Sequence, residues 1–81
     1  MEYSVLIEKI HDNTLPDGYY YAHIPALDLT THGMGIQGAK NAAEELIHIW
    51  IEEKMAHSEL VPIESDSYYS KIEIKNAVQS A

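Results

Sequence analysis

The stretch Gly35–Lys54 constrains this chain more than any other. Ala39, Ala42, Ala43, Leu46, Ile47 and Trp50 recur at i, i+3, i+4 and i+7, the spacing of one apolar helix stripe. Lys40, Asn41, Glu44, Glu45, His48 and Glu52 fall on the opposite side. Small residues come early in the stripe and large ones late. The first half of the helix can therefore approach a sheet closely, while Leu46, Ile47 and Trp50 fill a wider gap. Gly35 is the expected N-cap. Ile49 and Ile51 lie off the stripe and either widen the buried face or form part of a partner surface. Gly38, inside the first turns, costs about 1 kcal/mol relative to alanine and suits close packing.

Around this helix the sequence places short extended segments. Tyr3 to Ile10 alternates, with Tyr3, Val5 and Ile7 on one face and Ser4, Leu6 and Glu8 on the other. Pro16-Asp17-Gly18 has the chemistry of a type I turn. Tyr19 to Ile24 forms a second strand, antiparallel to the first, and Pro25 ends it because proline has no ladder donor. Leu27 to His32 reads as a third, with Thr30 and Thr31 suited to extended backbone. Lys71-Ile72-Glu73-Ile74-Lys75 alternates cleanly, so Tyr68 to Val78 should hold a fourth. The expected class is α+β: a single β-β-β-α-β domain over residues 1–81, with an antiparallel-rich sheet and one helix packed on one face. A single helix covers only one face. Yet the first two strands carry apolar or aromatic groups on both faces: Val5 and Ile7 against Leu6, and Tyr19 and Tyr21 against Tyr20, Ala22 and Ile24. The second face should therefore meet a partner or another copy.

Charge narrows the partner. Thirteen acidic residues stand against five lysines and no arginine, a net charge of −8. Direct nucleic-acid binding is not expected, because phosphate neutralisation needs clustered cations. An acidic surface favours association with a basic protein. No apolar run reaches the roughly 20 residues of a membrane span. The absence of cysteine, and of a basic segment before an apolar one at the N-terminus, leads us to expect a cytoplasmic protein.

Catalytic and metal chemistry find little footing. Gly33-Met34-Gly35-Ile36-Gln37-Gly38 spells G-x-G-x-x-G, but no βαβ unit surrounds it. Glu8, Asp12, Asp28 and Glu44 are acids that a two-metal nuclease could use, though no spacing forces them together. Glu44, His48 and Glu52 form an i, i+4, i+8 row, which serves equally as a surface ion-pair ladder. His23 and His32 could meet across the second and third strands. No catalytic residue, metal or cofactor is expected.

Tyr21-Ala22-His23-Ile24-Pro25-Ala26-Leu27, then Gly33, a helix with Ala39, Ala43, Glu45 and Trp50, and finally Pro62 together resemble the HicB-like antitoxin family. The resemblance spans roughly residues 3 to 78. The chain departs from that pattern in having Met34 and Gly35 at a usual Asp-Thr helix cap, and Gly38 in place of a glutamate. The resemblance implies a partial RNase H-like fold, a homodimer or tetramer, and a non-catalytic antitoxin that neutralises a small basic HicA-type mRNA-cleaving toxin. The C-terminal DNA-binding domain that such antitoxins often append is not expected here, as none fits after Val78. From the residues, Tyr19, Tyr20 and Tyr21 are the expected interface contacts, and Glu44, Glu45, Glu52 and Glu53 the attraction for a basic partner. The alternative is an orphan HicB-like module that binds a small molecule or metal.

Overall fold

A computed structural model describes residues 1–65 and 70–75. It has three strands, β1 (Leu6–Lys9), β2 (Tyr19–Ile24) and β3 (Leu29–Met34), followed by one helix, α1 (Gly35–Ala56). The strands form an antiparallel meander in the order β1-β2-β3. The fold is thus α+β, with a three-stranded antiparallel sheet and one helix.

Strand pairing follows the alternation. Ile7 lies opposite Ala22, and Ala22 opposite Thr31; Glu8 lies opposite Tyr21, and Tyr21 opposite His32. Directly opposed residues share a face. Ile7, Tyr20, Ala22, Ile24 and Leu29 therefore point to the helix, while Leu6, Glu8, Tyr19, Tyr21, His23, Thr30, His32 and Met34 point away. Ala22, Ile24, Leu27, Ala39 and Ala43 form the buried core. Ile24 is its only large fully buried side chain. Leu46, Ile47, Trp50, Tyr3, Val5, Tyr20 and Leu29 close around that core, each half-buried.

The small-to-large gradient of the helix stripe has a geometric counterpart. At its start α1 crosses β3 backbone to backbone. A Cβ on Gly33 would collide with the carbonyl of Gly38 and lie 2.6 Å from the nitrogen of Ala39. The entry to α1 is correspondingly abrupt. Gly35 has φ +69°, in the region an L side chain rarely adopts. The N-cap position falls on Met34 rather than Gly35, and no side chain caps the helix. Instead the Gly35 amide donates to the Gly18 carbonyl at 2.8 Å, so a loop backbone satisfies one terminal donor.

The far end of α1 closes in a Schellman arrangement. The Ser58 amide donates to the Met55 carbonyl at 3.1 Å and the Glu59 amide to the Lys54 carbonyl at 2.9 Å. Ser58 holds the left-handed position at φ 55°.

Two expected strands shift their boundaries and a third expectation fails among the described residues. The first strand begins at Leu6 rather than Tyr3. The Ser4 amide and hydroxyl instead donate to the Glu64 carboxylate, at 2.5 and 2.8 Å, and the Tyr3 hydroxyl bonds the Pro62 carbonyl. The third strand runs Leu29–Met34, two residues later than expected. Pro25–Leu27 first make a 3₁₀ turn, ending at Asp28 in the left-handed region with φ 52°. The expected fourth strand is not present among the described residues: Ser70–Lys75 is not in a strand, and Ile72 and Ile74 are exposed. Alternation alone cannot hold a strand that has no neighbour to bond. Tyr68, Tyr69 and Asn76–Val78, which complete that expected strand, lie outside the described residues.

Candidate functional site

Alternation sends every second side chain of the sheet away from α1, and no other helix or strand among the described residues lies over that side. This open face is the candidate site. It is built in cross-strand rows. Leu6, His23 and Thr30 form one, Glu8, Tyr21 and His32 the next, and Tyr19 with Met34 the last.

The rows are joined by polar contacts. His23 Nε2 lies 3.1 Å from Glu8 Oε1, and His23 Nδ1 lies 3.1 Å from Thr30 Oγ1. An ionised carboxylate only accepts, so Nε2 carries the proton and donates to Glu8. In the neutral ring Nδ1 is then the acceptor, and the Thr30 hydroxyl donates to it. One imidazole thus ties all three strands together on the outer side. Aromatic contacts extend the band. The Tyr21 and His23 rings stand 5.7 Å apart, and those of Tyr19 and His32 stand 6.0 Å apart. Leu6 and Met34 frame it with exposed apolar surface.

The expected interface tyrosines divide. Tyr19 and Tyr21 lie on this face, whereas Tyr20 turns to the helix side and packs on the core. The expected acids Glu44, Glu45, Glu52 and Glu53 are all exposed on α1. That helix covers the opposite side of the sheet, so Tyr19 and Tyr21 point away from the side that carries the glutamates, and no flat partner touches both.

His23 and His32 share the open face but do not oppose each other. His23 is opposite Thr30 and His32 opposite Tyr21, an offset of two residues set by the Pro25–Leu27 turn. Glu8, Asp12, Asp28 and Glu44 remain dispersed over the open face, two loops and the helix. Asp12 is occupied locally: its carboxylate accepts from the Thr14 hydroxyl and from the Thr14 amide at 3.0 Å. Those bonds, the hydroxyl's first, hold its carboxyl below the ordinary range. Among the described residues no group of three or more His, Asp or Glu is placed to hold a metal ion. In the Glu44-His48-Glu52 row only Glu44 and His48 approach, at 3.9 Å, both well exposed.

A second concavity lies between the N-terminal segment and α1. This open cleft of about 420 Å³ is lined by Met1, Tyr3, Glu44, Ile47, His48 and Ile51. Periodicity alone did not reveal it, because Met1 and Tyr3 reach it only through the chain's path beside the helix.

No helix among the described residues is long and apolar enough to cross a membrane. Comparison with protein-family models, with curated proteins and with solved structures finds no match.

Proposed function

We propose that this chain is a non-catalytic interaction protein of the HicB-like antitoxin kind, which binds and neutralises a small basic HicA-type mRNA-cleaving toxin. The open sheet face carries this reading. Two tyrosines, two histidines, a carboxylate, Leu6 and Met34 stand together there on a rigid sheet, with no helix or strand of the described residues over them. Aromatic side chains set among adaptable polar groups suit a protein contact. The charge of −8 supports a basic partner, and the exposed Glu44, Glu45, Glu52 and Glu53 extend the attracting field around the molecule. Because these glutamates face away from the tyrosines, they speed encounter, and the sheet face forms the docked contact. Self-association as a homodimer or tetramer then falls to the outer edges of β1 and β3, which no other strand of the described residues pairs.

The test is co-purification from the native lysate. A small basic protein released by high salt, toxic when expressed alone and harmless when co-expressed with this chain, supports the reading. Recovery of the chain alone removes it. The cleft beside Glu44 and His48 favours a second reading, a small-molecule-binding regulatory module. That reading requires a metabolite-dependent rise in melting temperature, lost when Ile47 or Ile51 is enlarged.

A further inference from the structure

The cross-strand rows of the open face hold a carboxylate and flat rings. Their ionisable groups are Glu8, Tyr19, Tyr21, His23 and His32; Lys9, the lysine of the strands, lies opposite Tyr20 on the helix side. We propose that Glu8, Tyr21 and His23 form an acceptor for one arginine side chain of a basic protein partner. The guanidinium lies over the Tyr21 ring and directs its donor fork to Glu8. This inference rests on the reading of the chain as a binder of a basic protein, and adds the side chain that is read.

Three observations carry it. First, Glu8 and Tyr21 are directly opposed on neighbouring strands, which sets their Cβ atoms about 5 Å apart. A guanidinium stacked within about 6 Å of the ring therefore also reaches the carboxylate. Second, the carboxylate is already held in place. Glu8 Oε1 accepts from His23, which Thr30 fixes from its other side, and Glu8 Oε2 has no partner among the described residues. Little side-chain freedom remains to be lost on binding. Third, no lysine stands in the cross-strand rows of the site. The cation–π contact of the described residues, Lys54 over Trp50 at 5.1 Å, belongs to the helix. A planar fork matches a ring beside a carboxylate better than an ammonium does, so the site should prefer arginine to lysine.

The experiment is an NMR titration of the isotope-labelled full chain with the blocked peptide Gly-Arg-Gly-Arg-Gly and its lysine counterpart. The expected result is amide shifts centred on Glu8, Tyr21, His23 and Thr30, with the arginine peptide binding about three- to tenfold more tightly. Glu8→Gln and Tyr21→Leu, each with wild-type spectral dispersion, should reduce its affinity to that of the lysine peptide. Equal affinities overturn the proposal, as do shifts confined to Glu44, Glu45, Glu52 and Glu53. So does concentration-dependent occupation of the face by a second copy. Co-purification separates the two ideas. If wild type and Glu8→Gln capture the same basic protein equally well, the arginine acceptor falls and the antitoxin reading stands. If the peptide binds as described and no basic protein is captured, the acceptor stands and the antitoxin reading falls.

Discussion

Gly33 of β3 and Gly38 of α1 touch through their backbones, and the contact is asymmetric. A Cβ on Gly33 would run into the Gly38 carbonyl. A Cβ on Gly38 would meet its nearest atom, the Gly33 carbonyl carbon, at 3.6 Å, an ordinary contact. Two adjacent glycines thus have opposite tolerances. Gly33→Ala should destabilise the fold by about 1–3 kcal/mol, as overpacking does. Gly38→Ala should stabilise it by up to about 1 kcal/mol through helix propensity. Urea denaturation of both variants checks the pair, and a loss of stability in Gly38→Ala would contradict this account of the crossing.

Among the described residues Ile24 is the one large side chain fully removed from water. Ile24→Ala should cost about 2–5 kcal/mol and Ile24→Val about 0.5–1.5 kcal/mol. A chain of this length has roughly 4–12 kcal/mol in total. The alanine variant should therefore show a sharply lowered urea midpoint or fail to fold. A loss below about 1 kcal/mol would place the core elsewhere.

Tyr20 and its neighbours separate folding from binding. Tyr20→Ala should lower stability by about 2 kcal/mol or more, because its ring packs on the core. Tyr19→Ala should stay within about 1 kcal/mol of wild type and weaken partner capture instead. Thermal melts read beside co-purification yields distinguish the two effects.

Ser58 occupies the left-handed position of the helix-terminating motif at φ 55°. Ser58→Gly relieves that conformation, and part of the gain is offset by greater freedom in the unfolded chain. A net stabilisation of about 0.5–1 kcal/mol is expected, or roughly 2–8 °C in melting temperature. An unchanged melt would show that Ser58 bears no strain.

Asp12 gives a pH prediction with a definite sign. Its carboxyl is held below the ordinary range first by the Thr14 hydroxyl and then by the Thr14 amide. A depressed folded-state value means that the contribution is present above the unfolded value and is lost as pH falls through the folded one. In Thr14→Val the carboxyl should titrate higher, but still below the ordinary range, because the amide bond remains. NMR titration of Asp12 reads this directly, and an unmoved midpoint would remove the hydroxyl as its principal cause.

The elements that the sequence specified most clearly were those that alternation and helical spacing determine locally. Tyr19–Ile24 matches, α1 begins one residue earlier than a cap at Gly35 would place it, and Tyr19 and Tyr21 lie on the face away from Tyr20 as the period of two requires. Positions that depend on where a distant segment goes were not legible. The 3₁₀ turn at Pro25–Leu27 delayed β3 by two residues and with it the partners of His23 and His32. The Glu8–His23–Thr30 contacts depend on that register, so single-residue properties could not reveal them. The end of α1 carries no glycine signal, because Ser58 takes the position that glycine usually marks. Lys71–Lys75 has a strand's pattern without a strand's bonds among the described residues, since alternation describes a face and leaves the hydrogen-bonding neighbour unspecified.

The Ser4–Glu64 clasp has a further consequence for how the two flanks of the fold come loose. Ser4 stands before β1 and Glu64 beyond α1, and the Ser4 amide and hydroxyl both donate to that one carboxylate. The clasp closes a loop of sixty positions around the sheet and the helix. Neither flank can lift away without breaking the bonds that hold the other, so fraying at one is coupled to fraying at the other.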